Sequence, residues 1–71
     1  MNQHAILLAA LKRGEQLTVA EALTRYGVYA LSQRMGELKR QGQPIGSTMI
    51  TVPSGKRVAC YFWAGQLELA A

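Results

Sequence analysis

The 71-residue sequence predicts an α+β domain in which three short helices are followed by a β-hairpin. Two observations predict this order. In the first part of the chain, apolar residues recur at helical spacing within segments that end near a glycine. Further on, β-branched and aromatic segments flank a Pro-Ser-Gly turn sequence at residues 53–55. A chain of this length forms one domain, so we expect residues 1–71 to be a single unit, with a core over about residues 2–63 and a short tail over residues 64–71.

The first helix is predicted over residues 2–13. Its leucines at positions 7, 8 and 11 share one face of a helix, which Ile6 and Ala10 widen. Asn2 can cap its start and Gly14 can end it. This segment therefore carries a signal at each end and an apolar face between them.

The second helix is predicted from a capping box formed by Thr18 and Glu21. The Thr18 hydroxyl can accept a hydrogen bond from the Glu21 amide, while the Glu21 carboxylate reaches back to the Thr18 amide. Gly27 follows soon afterwards, so this helix is brief. We expect Ala20 and Leu23 to be its core residues.

The third helix is predicted over about residues 29–41, with Gly42 placed to end it. Leu31, Met35 and Leu38 lie at positions i, i+4 and i+7, which predicts one buried stripe. A short helix, a tight turn and a longer helix are typical of a helix-turn-helix, and the hairpin that follows would be its wing.

The hairpin strands are predicted at residues 45–52 and 57–63. The second of them is apolar on both faces. One face carries Val58, Cys60 and Phe62, and the other carries Ala59, Tyr61 and Trp63. A wing strand needs one buried face, so we expect the other either to meet a second subunit or to be covered by the C-terminal tail.

The charge balance favours a polyanionic partner. Lys and Arg number 8 and Asp and Glu number 4, which gives a net charge of +4 and a pI of about 9.7. Nucleic acid is the first candidate for such a partner, and a purely solubilising role for the charge is the alternative.

Other features limit the location and the chemistry. The single Cys60 cannot form an intrachain disulfide, and the longest apolar run, residues 5–11, is too short to cross a bilayer. The N-terminus also lacks the basic start and cleavage site of a signal peptide, so we expect a cytoplasmic protein. His4 has no acid or cysteine near it in sequence, and the chain contains no Asp, paired carboxylates or phosphate-binding loop. We therefore expect no enzymatic activity, no cofactor, no metal and no small-molecule substrate.

The exposed side of the third helix carries groups suited to DNA. At about 100° per residue, the positions opposite the buried stripe are Tyr29, Gln33, Gly36 and Arg40, with Ser32 and Lys39 beside them. Gln pairs with adenine and Arg with guanine, and residues near the start of such a helix reach deepest into the major groove. This arrangement favours base contacts by Tyr29, Ser32 and Gln33, and phosphate contacts by Lys39 and Arg40.

Each of these features also has a purely structural interpretation. Surface helices are polar in any case, and Tyr29 could pack on the preceding turn. Gly36 either allows close approach to DNA or is a tolerated small residue. At the hairpin tip, Lys56 and Arg57 can reach flanking phosphates or the minor groove, or can serve solubility alone.

The chain resembles the small winged helix-turn-helix DNA-binding domains of bacteriophage and bacterial regulators. The stretches that carry the resemblance are LLAALKRG, LTVAEALTRYGVYALSQRMGELKRQGQPI and GKRVACYFWAG. The matching positions are Thr18, Glu21, Ala22, Leu31, Arg34, Met35, Glu37, Leu38, Gly42 and Ile45. Most of these are scaffold residues, so the resemblance is more specific for the fold than for a target.

The resemblance implies binding of double-stranded DNA and transcriptional control, in a protein of phage or prophage origin. It also implies that Tyr61 and Trp63 face inward. Arg34 either pairs with Glu37 or Glu21, or contacts phosphate.

We predict a sequence-specific DNA-binding protein that acts as a dimer or cooperatively. The predicted DNA-contacting residues are Thr18, Tyr29, Ser32, Gln33, Lys39, Arg40, Lys56 and Arg57. The alternative is a protein–protein interaction module on the same scaffold. RNA binding is less favoured, because no exposed aromatic stacking platform is evident.

Overall fold

The computed structural model describes residues 2–65. Within them lie three helices, α1 (Gln3–Lys12), α2 (Val19–Tyr26) and α3 (Leu31–Arg40), followed by the strands β1 (Ile45–Thr51) and β2 (Arg57–Trp63). The predicted order of three helices and a hairpin is therefore confirmed. Most of the predicted tail, from residue 66 onward, lies outside the described residues.

Helix α1 has the predicted cap and the predicted apolar face, with Ile6 and Leu8 half-buried at its edges. The Asn2 side chain accepts a hydrogen bond from the His4 amide at 2.8 Å. Leu7, Ala10 and Leu11 are buried, and Leu8 packs against them at the edge of the core.

Helix α2 has the predicted ends but a different buried face. Both hydrogen bonds of the capping box are present, and the helix ends at Gly27 in the left-handed conformation (φ 68°). The prediction that Ala20 and Leu23 are core residues was wrong, because both are exposed and Ala22 is buried instead. Since α2 is short, its sequence allowed more than one apolar face, and packing against the other elements selects the one centred on Ala22.

Helix α3 buries the predicted stripe of Leu31, Met35 and Leu38. It begins at Leu31, later than predicted, with Ala30 as the N-cap residue and no side-chain hydrogen bond at the cap. Val28, in the turn that precedes it, is fully buried. The turn between α2 and α3 is therefore anchored in the core by an apolar side chain.

The two strands pair in the antiparallel direction, with Ile45 opposite Trp63 and Thr51 opposite Arg57. Gly46 lies opposite Phe62, and a Cβ atom at Gly46 would collide with the Phe62 ring. The glycine therefore allows the ring to lie across β1.

A third chain segment extends this sheet by one residue. Leu17 donates to the Tyr61 carbonyl at 2.9 Å, and the Tyr61 amide donates to the Leu17 carbonyl at 2.8 Å. This pair joins the connector before α2 to the wing. The sheet consequently has Leu17 at one edge, β2 in the middle and β1 at the other edge.

One core cluster joins all five elements. Its buried members are Leu7, Ala10, Leu11, Leu17, Ala22, Val28, Leu31, Met35, Leu38 and Ile45. Tyr61 and Trp63 pack against it, as the resemblance implied. None of the helices within residues 2–65 is long and apolar enough to cross a membrane.

The other face of β2 is also partly covered. Cys60 is only 4% exposed, and its thiol lies 3.9 Å from the Gln16 side-chain oxygen. Burial raises the pKa of the Cys60 thiol, so the thiol form is favoured. Cys60 therefore acts as a small packed residue in the structure.

Candidate nucleic-acid interface

The side of α3 away from the core is polar and basic. Ser32, Gln33, Lys39 and Arg40 are all exposed there, which is where the helical projection places them. Gly36, half-buried in the same row, leaves a gap between Gln33 and Arg40. The helix therefore offers hydroxyl, amide and guanidinium groups along one exposed side.

Tyr29 does not lie on this helix. It precedes the start of α3 by two positions and is 80% exposed. Its projection onto the outward side of the helix was therefore wrong, because the chain at this point still has the conformation of the turn. The phenol lies instead just before the N-terminus of α3, where it is free of the core.

The basic residues Lys56 and Arg57 lie at the hairpin tip, and both are exposed. The tip is held by two backbone hydrogen bonds, from Val52 N–H to the Lys56 carbonyl at 2.9 Å and from Gly55 N–H to the Val52 carbonyl at 2.8 Å. Gly55 has a φ of 90°, which favours glycine. The turn therefore presents two adjacent cations at the end of the wing.

Thr18 differs from the other predicted contact residues. The residue is only 7% exposed, and its hydroxyl accepts a hydrogen bond from the Glu21 amide at 3.3 Å. This geometry argues against a direct DNA contact by the Thr18 side chain. Its role in the structure is to define the start of α2.

A three-residue network holds α3 against the start of α1. The Glu37 carboxylate lies 2.6 Å from the His4 ring Nε2 and 3.0 Å from Arg34 Nη1. The His4 hydrogen bond and the charge of Arg34 lower the pKa of Glu37. Of the partners predicted for Arg34, the structure shows Glu37, so this arginine serves the scaffold.

A second contact sets the position of the start of α3. The Tyr61 hydroxyl on β2 donates to the Ser32 Oγ at 3.1 Å. Ser32 keeps its own hydroxyl proton, which can be donated to a partner. The wing and α3 are therefore linked directly beside the exposed row.

A cluster around Glu15 joins the ends of α1 and α2. The carboxylate accepts hydrogen bonds from the Tyr26 hydroxyl and from Arg13, whose Nη2 lies 2.8 Å away, and it also pairs with Arg25 at 3.5 Å. The Tyr26 and Arg13 hydrogen bonds lower the pKa of Glu15, and the bond to Glu15 raises the pKa of Tyr26. Arg25 also pairs with Glu21 at 3.2 Å.

The ion pairs divide the cations of residues 2–65 into two sets. Glu15, Glu21 and Glu37 are all paired, and the cations that pair with them are Arg13, Arg25 and Arg34. The His4 ring also contacts the Glu37 carboxylate. The cations that pair with no carboxylate of residues 2–65 are Lys12, Lys39, Arg40, Lys56 and Arg57. Lys12 lies 5.4 Å from the centre of the Trp63 ring. The other four lie at the end of α3 and at the hairpin tip.

Sequence reasoning missed the residues that position α3. His4 and Glu37 are separated by 33 positions, and Ser32 and Tyr61 by 29. No local pattern predicts either pair. The one available signal was the Arg34–Glu37 spacing of three residues, which is favourable for an ion pair on a helix.

The helix order, the short turn before α3 and the hairpin together define the class of winged helix-turn-helix domains. The family described as winged helix-turn-helix domain matches residues 2–65, and the chain belongs to this family. No curated protein and no solved structure matches the chain. Membership of this family points to DNA as the partner and to a non-enzymatic domain.

Proposed function

We propose that this protein is a sequence-specific binder of double-stranded DNA and acts as a small transcriptional regulator. Helix α3 enters the major groove, and the hairpin tip contacts the sugar-phosphate backbone. The resemblance to phage and bacterial regulators supports the regulatory role and a phage or prophage origin.

The division of the cations carries this proposal. Every carboxylate of residues 2–65 is neutralised within the scaffold, while Lys39, Arg40, Lys56 and Arg57 pair with none of them. These four residues lie on the two elements that a winged helix-turn-helix presents to DNA. Their charges are therefore available to phosphates, whose counterions are released on binding.

Base contacts are assigned to the side chains near the start of α3. Gln33 is exposed and can pair with adenine in the major groove. Ser32 is exposed with one hydroxyl proton to donate, and Tyr29 lies just before the helix. These residues supply direct readout, and the cations supply affinity.

The test is a titration of labelled random duplex DNA, followed by fluorescence anisotropy at about 50 and about 200 mM salt. We expect binding that weakens steeply with salt. Lys56→Ala should reduce the slope of log K against log salt by about one. The matched control is Arg13→Ala, which removes the same charge from an arginine already paired with Glu15 and should leave the slope unchanged. Absence of binding at the lower salt concentration would refute the proposal.

We further propose that binding is dimeric or cooperative. A single module of this size covers only about 600–1,000 Å² of protein surface on DNA, which limits its specificity. Sedimentation equilibrium of the protein alone and with duplex DNA measures the stoichiometry. A strict monomer in both samples would contradict this part.

An interaction with another protein is the second candidate. Val19 and Leu23 lie one turn apart on α2 and are both more than 40% exposed, at 44% and 42%. Such a pair is a small apolar patch that a partner helix could cover. If random and selected duplexes both fail to bind, a pull-down with the wild type and with Val19→Ser would test this candidate.

A further inference from the structure

Arg40 does not extend away from the end of α3 but folds back along it. A Cβ atom at Gly36 would lie 3.8 Å from Nη1 of Arg40. Side chains on a helix lean toward its N-terminus, so a residue can cover the surface one turn before its own Cα. The guanidinium of Arg40 therefore lies over Gly36, near the middle of α3.

The absence of a side chain at Gly36 creates the space for this conformation. Gly36 lies between Gln33 and Arg40 in the exposed row, three residues after the first and four before the second. The fold-back brings the guanidinium toward Gln33 and away from the C-terminal end of α3. A long side chain at position 36 would occupy the same volume.

The Arg40 guanidinium makes no direct contact with a carboxylate of residues 2–65, and only its longer-range charge acts on Glu37, where it is the smallest of the causes that lower the pKa. No ion pair and no side-chain hydrogen bond joins Arg40 to that part of the chain. Glu37, the carboxylate nearest in sequence, is held by His4 and Arg34 on the flank of the helix. The planar set of N–H donors on Arg40 is therefore available to a ligand.

We infer that Arg40 reads a guanine in the major groove from its position over Gly36, next to the base read by Gln33. Arginine pairs bidentately with O6 and N7 of guanine through its planar fork. A lysine can also contact these atoms, but its ammonium is a single point charge on a flexible stem without that fork, so it should hold the guanine less tightly from position 40. The inference rests on the proposed function and changes the expected role of Arg40, which the sequence alone assigns to phosphate.

The test compares base preferences across variants. A random duplex library is incubated with the wild type, Arg40→Lys, Gly36→Ala and Gly36→Gln, and the bound fraction is sequenced. We expect the wild type to prefer guanine at one position and Arg40→Lys to weaken that preference while keeping the others. Affinity for the best wild-type site should fall at least about fivefold in Arg40→Lys, with little change for random DNA.

The two Gly36 variants separate the position of the guanidinium from its charge. At 3.8 Å an alanine Cβ makes an ordinary contact, so Gly36→Ala should keep the guanine preference. The longer side chain of Gly36→Gln displaces the guanidinium without changing the net charge, and it should lose or alter that preference. Circular dichroism checks that each variant remains folded.

Replacement of the selected guanine by 7-deazaguanine supplies an independent readout. The wild type should lose at least about fivefold in affinity, and Arg40→Lys should lose clearly less. If Arg40→Lys keeps the guanine preference at wild-type strength, or weakens binding equally at all sequences, Arg40 does not read this guanine and the inference is overturned. A wild type that binds without base preference overturns it as well. A wild type that does not bind duplex DNA at low salt refutes the proposed function itself.

Discussion

Helices α2 and α3 are neighbours of similar length, and they use their side chains in opposite ways. Helix α2 buries only Ala22, and its one arginine, Arg25, is paired with two carboxylates. Helix α3 buries three apolar side chains, and its terminal Lys39 and Arg40 pair with no carboxylate of residues 2–65. A firmly packed helix can therefore leave its charges unpaired, whereas α2, which buries one side chain, depends more on its cap. The exposed ion pairs of Arg25 contribute little to its stability.

The largest effect is expected from the buried stripe that α3 has and α2 lacks. Leu38→Ala should lower the free energy of unfolding by about 2–5 kcal/mol, because it removes a buried side chain and leaves a cavity. The matched substitution on α2, Leu23→Ala, should cost well under half as much, since Leu23 is 42% exposed. Urea denaturation measures both. Equal losses would mean that the two helices are packed alike.

The next effect concerns the cap on which α2 depends. Thr18→Ala removes the side-chain half of the capping box and should lower the free energy of unfolding by about 1 kcal/mol. Thr24→Ala is the control, because Thr24 is exposed and donates only to the Ala20 carbonyl within the helix. The DNA affinity of folded Thr18→Ala can be measured as well. If the affinity falls while its salt dependence is unchanged, the position of the start of α2 matters for DNA binding although Thr18 contacts no phosphate.

The contrast between paired and unpaired cations predicts a smaller, selective effect on binding. Lys39→Ala should reduce the salt slope by about one and weaken binding to random duplex DNA several-fold. Arg25→Ala removes the same charge from α2, and the slope should stay as in the wild type. Anisotropy titrations at several salt concentrations measure the two slopes. Equal slopes for Lys39→Ala and Arg25→Ala would contradict the contrast between paired and unpaired cations.

The smallest effect is expected in the acid dependence of stability. The pKa of Glu37 is lowered in the folded state by the His4 hydrogen bond and by Arg34. Its contribution is therefore present above the ordinary glutamate pKa of about 4.3 and is lost as the pH falls through the lower folded value. In Glu37→Gln, urea midpoints between pH 3 and 6 should depend less on pH. Some dependence should remain, because the pKa of Glu15 is lowered in the same direction.

Local chemistry made much of the fold predictable. Asn2 and Thr18 act on amides within three residues, and Gly27 adopts the left-handed conformation that ends a helix. The stripe of Leu31, Met35 and Leu38 follows from helical spacing alone. Each of these signals depends on contacts within about one or two turns, which a sequence displays directly.

The predictions were wrong where packing between neighbouring elements determines the local structure. The buried residue of α2 is Ala22 rather than Ala20 or Leu23, and Tyr29 lies in the turn rather than on α3. The exposed row of α3 was predictable as a surface. The position of the Arg40 guanidinium within this row was not predictable, because it depends on a side-chain rotamer that uses the space over Gly36.

The sequence by itself determined the number and order of the elements, the N-terminal caps of α1 and α2, the buried stripe of α3 and the excess of positive charge, since all of these depend on local spacing or composition. Only the tertiary structure decided which cations are neutralised. Glu37 meets His4 across 33 residues, and Glu15 meets Arg25 across 10. Folding brings these groups together because the core fixes how the helices pack, and the unpaired cations are those that this packing leaves on α3 and the wing.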